Sequence, residues 1–283
     1  MKKKILTGLI AAAVLVTSLG MAGCGGSDNG GSGGSAESGT VTIAGSTSVQ
    51  PLSEAMAEVY MESNSDVNIE VQGGGSGQGI KSIEEKIADI GALSREVKDD
   101  EKSSVAEEYV IAKDGVAVVV NKDVKVTDLT LEQIKNIYTG KVKNWKEVGG
   151  DDKAITVVSR EEGSGTRGAF TEITGVAADD KDNTTKDALV QPSTGAVKET
   201  VAKTPDSIGY VSLGALDDTV KTVKVEGVEA TVDNVLSGDY KIQRPFVYVV
   251  NSELSDTAKA FIDFAMGDEG QKIVEENGFI PVK

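Results

Sequence analysis

Apolar residues in this chain fall into short β-branched runs that alternate with longer segments of helical spacing. Residues 40–44, 68–72 and 90–93 read as strands, with a helix over 49–62 and a shorter one over 79–87 between them. The pattern continues with a fully apolar strand at 116–120, a helix at 131–138, a strand at 155–158 and a helix at 194–203. Strands at 208–211 and 246–250 precede two closing helices, 256–266 and 268–276. Such alternation predicts an α/β fold whose sheet is mainly parallel and carries helices on both faces. No internal repeat interrupts it.

The polar positions between these elements carry the chemistry. Ser159 to Phe170 reads Ser-Arg-Glu-Glu-Gly-Ser-Gly-Thr-Arg-Gly-Ala-Phe, between a strand and a helix. A helix start leaves backbone N–H groups without partners, and the helix dipole makes that end attractive to a negative oxygen. Gly163 and Gly165 let the backbone approach closely, Ser164 and Thr166 add hydroxyl donors, and Arg160 adds a planar fork suited to two oxygens. The turn therefore reads as half of an oxyanion site. Gly163-x-Gly165-x-x-Gly168 also matches the dinucleotide fingerprint, but it lies mid-chain with Arg160 and two acids crowding its approach, and a lone match is weak evidence. No Gly-Lys-Ser/Thr follows, so it is not a P-loop. Taken alone, the segment is equally well a Gly/Ser-rich turn with a structural arginine.

Three more turns have the same form. Gly45-Ser46-Thr47-Ser48 follows the first strand, and by itself would be an ordinary helix cap. The stretch 73–79 follows the second strand with five glycines in seven residues, too entropically costly for a routine cap. Ser94-Arg95-Glu96 follows the third, where Arg95 alone would pass for a surface ion-pair partner. In open α/β sheets ligands sit at the carboxyl ends of strands. Three such turns from a first lobe and one from a second converge on a small oxyanion in a cleft between lobes.

Composition narrows the function further. The chain has no histidine and a single cysteine, Cys24, which removes His-based triads, His metal ligands and any intramolecular disulfide. No metal and no cofactor are expected. Lys2, Lys3 and Lys4 precede an apolar run and then Met21-Ala22-Gly23-Cys24, the form of a secretory signal over residues 1–23. The Ala-Gly-Cys ending resembles a bacterial lipobox, which implies cleavage before Cys24 and lipid on its sulfur; Met21 stands where that pattern more often has Leu. Residues 24–39 are Gly/Ser-rich and read as a tether, about 15 residues reaching about 20 Å. The tether favours the outer face of the single membrane of a Gram-positive cell. Without its signal the chain carries 26 basic against 45 acidic residues, a net charge of −19. That excludes nucleic acid as a partner and predicts slower anion capture at low salt, while an oxyanion held by local dipoles responds mainly to its site.

On these residues the chain resembles the phosphate-binding proteins of Pst-type ABC importers, over essentially the whole mature domain. Gly45-Ser46-Thr47-Ser48, Gly75-Ser76-Gly77 and Arg160-x-x-x-Ser164-Gly165-Thr166 look like that family's ligand turns. Two stretches outside the site also look like family sequence, Leu131-x-x-x-Lys135-x-Ile137-Tyr138-Thr139-Gly140-Lys141-Val142-x-Asn144-Trp145 and Glu269-Gly270-Gln271-Lys272-Ile273. The resemblance implies a two-lobed periplasmic-binding-protein fold of type II, each lobe a mixed sheet flanked by helices, with the ligand in the cleft between lobes. Lobe I is expected over 40–115 plus 248–283 and lobe II over 116–247, with crossover strands near 113–118 and 245–250.

It further implies that Thr47, Ser48, Ser76, Ser94, Arg160, Ser164, Gly165 and Thr166 hold inorganic phosphate, with Ser46 and Arg95 behind them and Glu162 holding Arg160 in place. The partners implied are the permease subunits of an ABC importer and a lipid anchor, for a monomeric receptor with no catalytic residues. Well-known members place an aspartate where this chain has Ser94, and that carboxylate accepts the proton of hydrogen phosphate. Ser94 accepts a hydrogen bond without charge to repel sulfate, and Arg95 is the candidate compensating contact. Receptors for sulfate, molybdate or tungstate, a phosphatase using Ser94 or Ser164, and a tethered adhesin or sensor remain the alternatives.

Overall fold

Every side chain from Val116 to Val120 is completely buried, so this run needs apolar neighbours on both faces of its sheet, and the fold is arranged to supply them. The computed structural model describes residues 39–179 and 181–283. The secretory signal, Cys24 and the tether up to residue 38 lie outside the described residues. Gly39, assigned to the tether from sequence, already pairs with Val67.

The first elements are β1 (Gly39–Gly45), α1 (Gln50–Ser63), β2 (Val67–Gly73), α2 (Ser76–Glu84), β3 (Ile90–Leu93) and β4 (Glu107–Val120). They are followed by β5 (Asp128–Leu129), α3 (Leu131–Tyr138), β6 (Thr156–Arg160), α4 (Gly165–Ile173), β7 (Ala177–Ala178), β8 (Lys181–Asp182), β9 (Leu189–Gln191) and α5 (Thr194–Lys203). The chain closes with β10 (Ser207–Ser212), β11 (Lys221–Thr222), β12 (Lys224–Val225), α6 (Val232–Leu236), β13 (Gln243–Val250), α7 (Asp256–Met266) and α8 (Asp268–Glu276).

The main strands hydrogen-bond in the order β2-β1-β3-β13-β4-β10-β6-β9, with β11 added to β4. β1 is parallel to β2 and β3, and β6 is parallel to β10 and β9. β13 runs antiparallel to β3 and β4, and β10 antiparallel to β4, so both halves of the sheet are mixed where the sequence pattern alone favoured a mainly parallel one.

Two lobes meet on β4 and β13. The stretch from Glu107 to Gly115 pairs with β13, and the stretch from Val116 to Val120 pairs with β10 of the second lobe. The apolar pattern gave only the second stretch, and the family resemblance extended it back to 113. Glu107, Glu108, Lys113 and Asp114 break the apolar run of the first and hide its strand character. The return strand β13 contains the expected 245–250; Ile242, just ahead of it, packs in the second lobe's core and Phe246 in the first's.

Each lobe has a core on both faces of its sheet. In the first, Leu52, Met56, Phe261 and Val274 cover one face, while Ile80 and Ile83 meet Leu93, Val247 and Val249 on the other. In the second, Ile134, Tyr138, Phe170 and Tyr210 fill one face, and Val197 and Val201 meet Val119, Val158 and Val211 on the other. Each such aliphatic side chain stabilises the fold by about 1.5–3 kcal/mol on full burial.

The parallel registers position the site. Gly45 lies opposite both Gly73 and Ala92, so β1, β2 and β3 end on one edge of the first lobe. Arg160 lies opposite Gln191, which ends β6 and β9 together in the second. The turns after β1, β2, β6 and β9 open α1, α2, α4 and α5.

Candidate oxyanion site

In the first lobe the residues just ahead of α1 and α2, Val49 and Gly75, provide no side-chain cap. Thr47 and Ser48 therefore do not serve as ordinary caps, and their hydroxyls reach across to the second lobe. Ser48 Oγ lies 2.9 Å from Thr166 Oγ1 and 2.9 Å from Thr194 Oγ1. Thr47 Oγ1 accepts the Thr194 backbone N–H at 3.2 Å and lies 3.3 Å from the Thr194 hydroxyl. Ser46 Oγ donates to Ser94 Oγ at 2.8 Å and accepts the Ser48 N–H at 3.2 Å. Ser76 Oγ accepts the Ser94 N–H at 3.0 Å. The helix opens at Ser76, three residues before the start expected from sequence, because Gly75 adopts φ 91° and turns the chain sharply into it.

The second lobe contributes charge. Arg160 is 2 % exposed; its Nε and Nη2 donate to the two oxygens of Glu161 at 2.8 and 2.7 Å, and its Nη1 donates to Thr194 Oγ1 at 3.1 Å. The carboxylate that holds Arg160 is thus Glu161 rather than Glu162, whose side chain is exposed in the turn. Tyr210 sits behind: its hydroxyl accepts the Arg160 backbone N–H at 3.2 Å and lies 2.9 Å from Ser159 Oγ. Arg167 donates to the Arg160 carbonyl at 2.7 Å and to Asp182 at 2.6 Å. Ser164 caps α4 by accepting the Arg167 N–H at 3.2 Å. Gly165 faces the first lobe so closely that a Cβ there would stand 2.3 Å from Ser76 Oγ and 2.7 Å from Ser94 Oγ.

Burial at the site is matched by pairing. Arg95 places its fork on Glu101, with both bonds 2.7 Å, and on the Glu96 carbonyl at 2.8 Å, so its charge is engaged there and its stem lies against Gly165. Burial alone would raise the Glu101 carboxyl; Arg95 and the Lys98 N–H together hold it below the usual range. Arg244 donates from Nη2 and Nε to Asp114 at 3.0 and 3.2 Å, and from Nη1 to the Ser94 carbonyl at 3.2 Å. Asp114 also accepts from Ser212 Oγ and the Leu213 N–H. Complete burial pushes the Asp114 carboxyl up, opposed by Arg244 and these two donors. Burial likewise lowers Arg244.

The residues named from sequence come together, apart from Glu162 and the fork of Arg95. Two contributors escaped that reading. Thr194 touches Thr47, Ser48 and Arg160, and its signal was present: Ser193-Thr194-Gly195 follows β9 and opens α5, the same polar strand-to-helix turn. Arg244 had no local signal, since it lies within a strand.

The arrangement gathers hydroxyls from five turns around one guanidinium, groups able to satisfy several oxygens of one small anion. Among the described residues no group of three or more His, Cys, Asp or Glu is placed to hold a metal ion. No described helix is long and apolar enough to cross a membrane.

Known proteins resemble this chain closely. A family model for the PBP superfamily domain matches residues 30–269. The phosphate-binding protein PstS of Bacillus subtilis is 38 % identical over 249 residues, covering 87 % of this chain and 81 % of that protein. A Clostridium perfringens substrate-binding protein of a phosphate ABC transporter, crystallised with phosphate, superposes with a TM-score of 0.83 at 47 % identity, covering 87 % of this chain and all of that one. An ABC-type phosphate transport receptor from Vibrio cholerae superposes at 0.72 with 36 % identity, covering 85 % of this chain and 99 % of that one.

Proposed function

The chain belongs to the PstS phosphate-binding proteins of the periplasmic-binding-protein superfamily, and on that premise we propose that it captures inorganic phosphate between its lobes for an ABC importer. It is an extracytoplasmic transport receptor and performs no catalytic step. The observation that carries this reading is the meeting of Ser48 with Thr166 and Thr194 across the cleft, beside Arg160. Hydroxyls from both lobes converge there on a buried guanidinium, so an anion bound among them joins the lobes.

Thr47, Ser48, Ser76, Ser94, Arg160, Ser164, Gly165, Thr166 and Thr194 form the contact set in this reading. Ser46 supports Ser94, and Glu161 orients Arg160. A buried guanidinium that donates to a dianion contributes about 1.5–3 kcal/mol per bond. The released ion passes to permease subunits. Lipid on Cys24 would hold the receptor as a monomer on the outer face of the membrane, as the lipobox-like Met21-Ala22-Gly23-Cys24 and the Gly/Ser tether suggest for a Gram-positive cell.

A second ligand class has one observation in its favour. Ser94 is fully buried and uncharged, so this position does not itself repel sulfate or molybdate. Calorimetric titration of ligand-stripped protein with phosphate, sulfate and molybdate at pH 6 and pH 8 separates the readings. Tight phosphate binding without sulfate heat supports the phosphate receptor, and equal binding moves the function to a general oxyanion receptor. Unchanged phosphate affinity in Arg160→Ala protein would remove the cage as the site.

A further inference from the structure

Strand β6 loses one neighbour before it reaches the site. β10 pairs with it only at Ser207↔Thr156 and Ile208↔Val157, and continues along β4 as far as Ser212. From there β6 runs on beside β9 alone, with Val158 to Arg160 opposite Leu189 to Gln191. The side of β6 that faces β10 therefore has no ladder partner where Arg160 stands, and a buried backbone group left unpaired is costly. Side chains supply what the sheet does not. Tyr210 Oη accepts the Arg160 N–H at 3.2 Å, and Arg167 Nη1 donates to the Arg160 carbonyl at 2.7 Å.

Resting on the phosphate reading above, we propose that Tyr210 is a positioning residue for phosphate: its hydroxyl fixes where the Arg160 guanidinium stands, and so tunes affinity from behind the site. Glu161 is the next residue in the chain and moves with Arg160, while β9 is a short edge strand at the end of the sheet. Tyr210 is 1 % exposed and rooted in β10, an interior strand paired with β4. Its ring stacks on Phe170 of α4, with centroids 4.1 Å apart and planes at 14°. One side chain thus refers both the end of β6 and the helix that carries Gly165 and Thr166 to the core. Burial raises the phenol above its ordinary value, so it stays a neutral hydroxyl, 2.9 Å from Ser159 Oγ. A small turn of the strand end becomes a larger displacement at the tip of a long side chain, and a binding group works only when such supporting bonds hold it to within about 0.5 Å.

The test compares Tyr210→Phe, which removes the hydroxyl and keeps the ring on Phe170, with Tyr138→Phe. Tyr138 is fully buried in the same aromatic cluster, but its hydroxyl points to the Val158 carbonyl at 3.4 Å and not to Arg160. Each variant is titrated calorimetrically with phosphate, melted, and crystallised to read the distance from Arg160 Nη1 to Thr194 Oγ1, which is 3.1 Å here and lies within one lobe. Phosphate affinity is expected to fall about tenfold in Tyr210→Phe and less than about threefold in Tyr138→Phe. The Arg160–Thr194 distance should lengthen past about 3.5 Å in the first variant only. Tyr210→Phe protein whose affinity stays within about threefold of wild type overturns the proposal. So does an equal fall in both variants, or a weaker Tyr210→Phe with the Arg160–Thr194 distance unchanged. Wild type that binds no phosphate removes the receptor reading instead, and the distance in Tyr210→Phe then decides by itself whether Tyr210 positions Arg160.

Discussion

Arg244 and Asp114 meet 3.0 Å apart on the two strands that carry the chain between the lobes, and neither side chain is more than 1 % exposed. The pair joins three parts of the molecule. Arg244 also holds the Ser94 carbonyl at the first lobe's ligand edge, and Asp114 also holds Ser212 and Leu213 of the second lobe. A charge so deeply buried is tolerated because its partner and three further hydrogen bonds replace water.

Asp114→Asn is therefore expected to leave the Arg244 charge uncompensated and to destabilise the protein by about 3–5 kcal/mol. Urea or thermal denaturation measures the loss. Combining it with Arg244→Met should recover part of the stability, because the buried charge is then gone; a double variant less stable than Asp114→Asn would refute the compensation argument.

Gly165→Ala tests the closeness of the lobes. The new methyl group would stand 2.3 Å from Ser76 Oγ and 2.7 Å from Ser94 Oγ, so the lobes cannot approach as they do here. Position 165 opens a helix, where alanine is well suited, so thermal stability should hold while phosphate affinity falls at least about tenfold. Calorimetry with a matching melting curve separates the two effects.

Thr194 joins Thr47, Ser48 and Arg160 through one hydroxyl. Thr194→Val keeps the shape and removes that group, leaving Arg160 Nη1 without its acceptor at a cost of about 1–3 kcal/mol in cage organisation. Phosphate affinity should drop accordingly and be restored by Thr194→Ser, whereas equal affinity in the valine and serine variants would exclude the hydroxyl from the site.

Acid should weaken the protein partly through Glu101. Its carboxyl is held below the ordinary value of 4.5 in the folded state, since Arg95 and Lys98 outweigh the opposing effect of burial. A depressed carboxyl contributes stability above its unfolded value and loses it as pH falls through the folded one. Glu101→Gln should thus lower the melting temperature most near neutral pH, with the gap to wild type closing below about pH 4. A gap constant from pH 7 to pH 3 would assign the effect to packing.

Local patterns made much of the fold readable in advance, and they named most of the residues that the structure gathers around Arg160. Helices 256–266 and 268–276 match α7 and α8, and Leu131–Tyr138 matches α3, because caps and spacing act within a few residues. Thr47, Ser48, Ser76, Ser94, Arg160 and Thr166 were legible because each follows a strand and opens a turn, and parallel strands end on one edge. Thr194 has the same signature, but it follows a strand too short and exposed to stand out.

What remained was decided by the path of the folded backbone, which settles close pairings as well as distant ones. Glu161 and Glu162 are adjacent, and only the path of β6 into its turn settles which carboxylate meets Arg160 and which faces water. Arg95 meets Glu101 through the fold of the loop between β3 and β4, and Arg244 reaches Asp114 across 130 residues through sheet register that no local pattern encodes. The sequence by itself determined the strand-to-helix turns and their hydroxyls, since these depend on backbone propensity and residue type. The tertiary structure alone decided how the charges are paired, because pairing depends on distance and burial, which arise only when the two lobes fold around β4 and β13.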